Sequence, residues 1–174
     1  METKVIGDTL TQSHECFCFL VTKVEGKMSD YDDPAVEEAW CQDRRAEVTN
    51  HLKREEVDHG RIGEWPAWHV APYVSVWAIE SITRPGWVGW WAICGDLPTD
   101  YVSAKKIKHP REAVLAIANR WLEVSSCMAR GVPHSELNIG TSSEWPSLAL
   151  LLESRASTLL EWANDQSLWE EEGI

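Results

Sequence analysis

Apolar residues recur at the spacing of an amphipathic helix in three segments, at about residues 34–57, 110–130 and 144–169. At the start of the first segment, Asp33 is a good N-cap residue. Pro34 suits the first helical position, because the N–H that proline lacks would have no intrahelical partner there. The pattern therefore predicts three main helices.

The later two helices carry similar boundary signals. Pro110 is expected at the first position of its helix, and Gly131 followed by Pro133 is typical of a helix end. Ser143 is the expected N-cap of the last helix, with Pro146 tolerated in the first turn. These signals place the helix boundaries to within a few residues.

Between the first two helices the pattern is extended. β-Branched and aromatic residues predict strands at 73–80 and 87–94, joined by a turn at 83–86, and 99–103 suits a third, short strand. Two prolines in 64–72 predict an extended connector. The sequence therefore predicts an α+β fold in which a small antiparallel sheet of two to three strands, with its hairpin at about 73–103, packs against three helices.

The first 29 residues differ from the rest in being weakly patterned. Met28 resembles an initiator residue, which favours an upstream N-terminal extension. The alternative is an added edge strand around residues 16–24. Residues 30–174 are expected to form a single α+β domain, a normal size for one hydrophobic core.

Charge and cysteine content narrow the function classes. The net charge is -12, and the only compact basic group is at 105–108, so neither nucleic acid nor an anionic membrane is an expected partner. Of the five cysteines only Cys16 and Cys18 are close together, which supports no zinc site. No secretion signal is apparent. We expect a cytoplasmic protein with reduced thiols and neither metal nor cofactor.

One stretch resembles a known family. It comprises Trp-Ala-Ile-Glu-Ser at 77–81 and Pro-Gly-Trp-Val-Gly-Trp-Trp-Ala-Ile-Cys-Gly-Asp-Leu-Pro-Thr-Asp-Tyr at 85–101. The segments 64–69 and 109–111 fit the same family, which consists of small uncharacterised bacterial proteins sharing a domain of unknown function. The resemblance runs from about residue 33 to 169 and implies no catalytic residue or cofactor.

Four polar residues are candidates for chemistry. Asp96 and Asp100 lie in the predicted 94–101 turn, where they would act as a general acid and base, bind a cation, or simply form the turn. His69 is a candidate general base or metal ligand, although a hydrogen-bonded structural histidine is the favoured interpretation. Cys94 is a candidate nucleophile, although its strand phase favours the core.

Eleven tryptophans against three tyrosines and two phenylalanines are unusual. Trp rings stack on sugars and cations and dominate many protein interfaces, but they also fill cores. Adjacent Trp90 and Trp91 must point to opposite faces of a strand. Either helices cover both faces, or one ring is exposed. The candidate binding residues are Trp65, Trp68, Trp87, Trp90, Trp91 and Tyr101.

Two arginines fall within apolar helix stripes, Arg44 and Arg155. Each either extends its guanidinium to water or pairs with a carboxylate, for which Glu80, Asp96 and Asp100 are available. In the second case an ion pair beneath the 94–101 turn would pre-order a pocket.

Three functions are compatible with these features. The favoured one is a non-catalytic binding or protein-interaction module with a Trp-rich hairpin, whose acidity suits neutralising a basic protein, as immunity-type proteins do. One alternative is a small enzyme with a polar site around 94–101 and His69. The other is a small-molecule or sugar binder that uses exposed tryptophans.

Overall fold

The computed structural model describes residues 30–135, 137 and 139–169. The expected extension or edge strand at 1–29 lies outside these residues. Along the chain the elements are α1 Pro34–Arg54, β1 Trp68–Val70, β2 Val74–Glu80, β3 Val88–Gly95, β4 Leu97–Ser103, α2 Pro110–Ala129, α3 Trp145–Asn164 and a 3₁₀ turn Gln166–Leu168. The α+β class is confirmed.

Local capping chemistry determines where the first two helices begin. Asp33 caps α1 by accepting a hydrogen bond from the Ala35 N–H at 2.9 Å. At α2, His109 Nδ1 accepts from the Arg111 N–H, and Glu112 bonds back to the backbone N–H of His109, which completes a capping box. Both helices therefore begin at the proline that the sequence indicates.

The third helix begins differently from the prediction. Ser143 is not its N-cap, because α3 begins at Trp145 after Glu144. The Glu144 carboxylate turns back to accept from the Thr141 N–H at 2.9 Å and from the Thr141 hydroxyl at 2.6 Å, which fixes the preceding turn instead. The helix ends at Asn164, and the 3₁₀ turn accounts for most of the remaining expected length to 169.

The sheet has four antiparallel strands in the order β1-β2-β3-β4, so the expected count of two to three is too low. The additional strand is β1, which lies inside the predicted connector and pairs Trp68 with Val76. Pro66 and Pro72 flank β1 rather than interrupting it, so the missing N–H groups do not break the ladder.

Helices cover both faces of the sheet. Alternate side chains of β2 point to opposite sides, and Trp77 packs with Val48 and Leu52 of α1, whereas Val76 packs with Trp121 of α2. Helix α3 packs against α2 on that second side. Among the described residues, no helix is long and apolar enough to cross a membrane.

Candidate functional site

His69, the candidate general base, belongs to a cluster of rings at the first turn of α1. Its Nε2 lies 2.7 Å from Glu37 Oε1. The imidazole stacks against Trp40, with ring centroids 6.1 Å apart, and meets the edge of Trp65 at 5.8 Å. Trp65 is exposed, whereas His69 is half-buried. We call this arrangement the His69 cluster. It connects α1 to β1, and the Glu37 carboxylate occupies one of the two imidazole nitrogens.

Cys94, the candidate nucleophile, lies in the core. Its Cα pairs across the sheet with that of Ser75, which pairs in turn with His69, so the three residues form a row on the α1 face. Cys94 and Ser75 are fully buried, and Ser75 Oγ donates to the Cys94 carbonyl at 3.2 Å. Burial raises the pKa of Cys94 to about 12. A protonated thiol without solvent access is a poor nucleophile.

Asp96 lies in the tight turn between β3 and β4 and is exposed. Its Oδ2 accepts from Arg155 Nη2 of α3 at 2.9 Å. One of the ion pairs considered from the sequence therefore forms, but both partners are partly in water, where such a pair contributes little.

Asp100 is buried on the opposite side of the sheet from Cys94. Its Oδ2 accepts from Trp121 Nε1 at 2.8 Å and from Arg120 Nη2 at 2.6 Å, and its Oδ1 accepts from the Tyr101 N–H at 2.8 Å. The carboxylate is thus engaged by three donors of the protein itself. Because the strand separates Asp100 from Cys94 and His69, these candidates do not meet in one site.

Arg44 does not pair with a carboxylate of the 94–101 turn. Its Nη1 lies 3.0 Å from Glu47 Oε2, one turn along α1, and Glu47 also accepts from the Thr99 hydroxyl. The Nε atom of Arg44 is buried and has no hydrogen-bond partner among the described residues. The hypothesis of an Arg44 ion pair with Glu80, Asp96 or Asp100 is therefore wrong.

Two of the candidate binding tryptophans lie in the core between the sheet and α2 and α3. Trp68 donates to the Leu168 carbonyl at 3.0 Å and stacks on Trp169 at 4.3 Å. Trp91 donates to the Ile107 carbonyl at 3.2 Å. Both indoles are nearly inaccessible, so neither offers a surface to a partner.

Trp90 and Tyr101 form a half-buried pair on the α1 face, with ring centroids 5.6 Å apart. Trp90 Nε1 donates to the Asp58 carbonyl at 3.3 Å. Tyr101 contacts the ring of His51 at 5.9 Å. Burial raises the pKa of Tyr101 and lowers that of His51, so both groups favour their neutral forms. This side of the sheet is held by α1 and the segment after it.

Three of the exposed large apolar side chains among the described residues lie in the β2–β3 hairpin, at residues 81–88, which we call the hairpin tip. Ile82, Trp87 and Val88 are 59%, 60% and 40% exposed. The Arg84 guanidinium lies 4.5 Å from the centroid of the Trp87 ring, in the geometry of a cation–π contact. Of the candidate binding residues, Trp87 and Trp65 are therefore the exposed ones.

Backbone and carboxylate contacts fix the base of the hairpin tip. Gly86 adopts a positive φ of 82°, which glycine tolerates best, and its N–H donates to Glu80 Oε1 at 2.6 Å. Glu80 Oε2 accepts from the Arg61 N–H at 3.3 Å. These hydrogen bonds lower the pKa of Glu80 and keep its carboxylate charged.

An exposed acidic segment lies beside the hairpin. It consists of Glu55, Glu56 and Asp58, which we call the acidic flank. The chain after it joins the hairpin base, where the Gly60 N–H donates to the Glu80 carbonyl at 2.8 Å. The acidic flank thus lies in the segment that leads to the hairpin base.

Sequence reasoning identified Trp87 but missed Ile82, Arg84 and the acidic flank. The sequence does contain a signal for this surface, because the apolar residues Ile82 and Val88 stand on either side of the predicted turn at 83–86. The sequence contains no indication that Glu37 is the partner of His69, because the two residues are 32 positions apart in the chain. In the described part of the chain, no group of three or more His, Cys, Asp or Glu side chains could hold a metal ion.

Comparison with protein families gives one match. A family model described as a domain of unknown function, DUF4826, matches residues 34–169. This confirms the expected resemblance to a family with a domain of unknown function. No curated protein and no solved structure matches the chain.

Proposed function

The chain belongs to the DUF4826 family, and we propose that it is a non-catalytic interaction module that binds a basic protein through the hairpin tip. The observation that carries the proposal is the exposure of Ile82, Trp87 and Val88 in one hairpin, where the Arg84 guanidinium contacts the Trp87 ring. Large apolar side chains grouped at one exposed site mark interaction surfaces more often than isolated ones do.

The separation of the polar candidates supports a binding role over catalysis. Nucleophilic catalysis requires a nucleophile and a base within hydrogen-bond reach and open to substrate. Ser75 and Cys94 lie in the same cross-strand row as His69, and both are fully buried. The Asp100 carboxylate lies on the opposite face of the sheet, where it accepts from three donors of the protein itself.

The composition of the hairpin tip suits the anchor of a protein interface. Trp and Arg are enriched among the residues that dominate binding free energy, and they act best when a partner encloses them. The Trp87–Arg84 contact presents both together, and the hydrogen bond from the Gly86 N–H to Glu80 pre-orders the turn that carries it. Such pre-ordering reduces the entropy lost on binding.

Charge indicates the class of partner. The net charge of -12 attracts a basic protein over long range, and the acidic flank adds three exposed carboxylates in the segment that leads to the hairpin base. A partner with an apolar pocket bordered by Lys or Arg would be complementary to both features. We place this interaction in the cytoplasm, where the free thiols of Cys41 and Cys94 would stay reduced.

Quantitative affinity capture tests this function. The full chain and its Trp87→Ala and Leu150→Ala variants are compared as baits, with captured proteins counted by mass spectrometry. Leu150 is the matched control, because it is 68% exposed but lies on α3. We expect a basic protein that is depleted at least tenfold by Trp87→Ala and retained by Leu150→Ala. Equal recovery by all three baits would refute the proposal.

The exposed indole of Trp65 favours a second candidate, a small-molecule or sugar site at the His69 cluster. A sugar face would stack on this ring. The carboxylate of Glu37, which contacts the same His69 as Trp65 does, would accept hydrogen bonds from the hydroxyl groups of the sugar. Titration of monosaccharides while following Trp fluorescence, in the chain and in Trp65→Ala, tests it. A signal that is unchanged by Trp65→Ala would exclude this site.

A further inference from the structure

Among the described residues β4 is an edge strand of the sheet, and it pairs with β3 on its other side. The Ala104 N–H donates to the Gly89 carbonyl at 2.9 Å, towards β3. Backbone groups of an antiparallel strand alternate between its two sides. The N–H and C=O of Val102 therefore point to β3, whereas those of Tyr101 and Ser103 point away from the sheet.

Both outward backbone groups of Tyr101 are capped by side chains. Asp100 Oδ1 accepts from the Tyr101 N–H at 2.8 Å, and Arg120 Nη2 donates to the Tyr101 carbonyl at 2.8 Å. The same Arg120 atom lies 2.6 Å from Asp100 Oδ2, so the two caps are joined. Trp121 Nε1, on α2, donates to the same carboxylate oxygen at 2.8 Å. The arrangement leaves neither group of Tyr101 available to another strand.

We propose that the Asp100–Arg120 pair closes the β4 edge against pairing with a second copy of this chain. An uncapped edge strand is a template for strand addition. Two copies of β4 in antiparallel orientation present the same groups to each other, which is the simplest symmetric pairing. This role explains why an aspartate that is not part of a catalytic site is buried in β4. It also means that a partner binds at a surface other than the β4 edge.

Replacing Arg120 tests this role. Arg120→Met retains the apolar stem but frees the Tyr101 carbonyl, so we expect concentration-dependent dimers in sedimentation velocity. Arg155→Met is the matched control, because it breaks an ion pair with Asp96 that caps no backbone group. We expect it to sediment like the unmodified chain. Circular dichroism and thermal unfolding establish that each variant is folded.

Two results would overturn the proposal. One is a folded Arg120→Met variant that sediments like the unmodified chain. The other is equal self-association of both variants, which would indicate a general effect of lost charge.

A second measurement covers the case in which Arg120→Met does not fold. In the unmodified chain, the amide of Tyr101 should exchange with solvent about tenfold more slowly than that of Ser103, because among the described residues only the first is capped by a side chain. The two amides point outward from the same edge, so each serves as the reference for the other. Equal exchange rates in NMR would show that the cap does not form.

Discussion

Trp90 and Trp91 are neighbours in β3, yet their side chains lie in different layers of the protein. Trp91 is 4% exposed and packs between the sheet and α2 and α3. Trp90 packs against Tyr101 on the face covered by α1 and is half-buried. Helices therefore cover both faces of the strand, and the paired tryptophans contribute mainly to the core.

The two tryptophans should differ in their contribution to stability. Trp91→Ala should lower the free energy of unfolding by about 3–5 kcal/mol, because it removes a large buried aromatic. Trp90→Ala should cost about 1–2 kcal/mol, since part of the ring is in water. Urea denaturation of both single variants measures the difference. A larger loss for Trp90→Ala would contradict the assignment of the main core to the α2 and α3 side.

Buried thiols should resist alkylation in the native protein. Burial raises the pKa of Cys41 to about 11, with a further contribution from Glu37, and that of Cys94 to about 12. Both are therefore thiols at pH 8, whereas alkylation requires the thiolate. Cys127 is half-buried and serves as the internal reference. Peptide mapping after iodoacetamide should show Cys127 modified well before the other two, with all three modified in urea.

This prediction also tests the enzyme alternative. If Cys94 reacts as fast as Cys127 in the folded protein, then its thiolate is accessible. Cys94 would then have the reactivity that a nucleophile requires.

The hairpin base should weaken in acid. Folding lowers the pKa of Glu80, chiefly through its hydrogen bonds from Gly86 and Arg61 N–H groups. Its contribution to stability is therefore complete above the unfolded-state pKa, about 4.3, and is lost as pH falls through the lower folded value. Glu80→Gln should lower stability at pH 7 but not below the folded pKa. Thermal unfolding across this pH range measures the effect.

Glu123→Gln provides the control for the acid experiment, because Glu123 is an exposed glutamate of α2. It should unfold like the unmodified chain at pH 7. If Glu80→Gln retains the full stability at pH 7, the carboxylate does not hold the hairpin base.

The helix starts could be predicted because their chemistry is local. Asp33 and Pro110 mark the first two, whereas at the third the Glu144 side chain bonds to Thr141 and Ser143 is not used. Strand β1 was not predictable, since three residues between prolines form a strand only where β2 is available as a partner.

The candidate site was predictable only in part. The sequence identifies Trp87 and the turn beside it, but exposure of a Trp depends on which helices cover each face. Trp68 and Trp91 are covered for that reason. The roles of Asp100 and His69 depend on contacts with Arg120 and Glu37, which the fold brings from distant positions.

Charge at the acidic flank should affect the rate of association more than the lifetime of the complex. Replacing Glu55, Glu56 and Asp58 by their amides removes the three carboxylates of the acidic flank and leaves the residues of the hairpin tip unchanged. With the captured basic partner immobilised, surface plasmon resonance should show slower association and a weaker dependence on salt. An unchanged association rate would mean that the flank does not face the partner.

The most direct measurement compares the affinities of two variants for the captured basic protein by isothermal titration calorimetry. Trp87→Ala should raise the dissociation constant by at least about thirtyfold, the effect of losing a central anchor of about 2 kcal/mol. Leu150→Ala removes an apolar side chain of similar exposure on α3 and should change it by less than about twofold. If Trp87→Ala binds like the unmodified chain, the hairpin tip is not the binding surface.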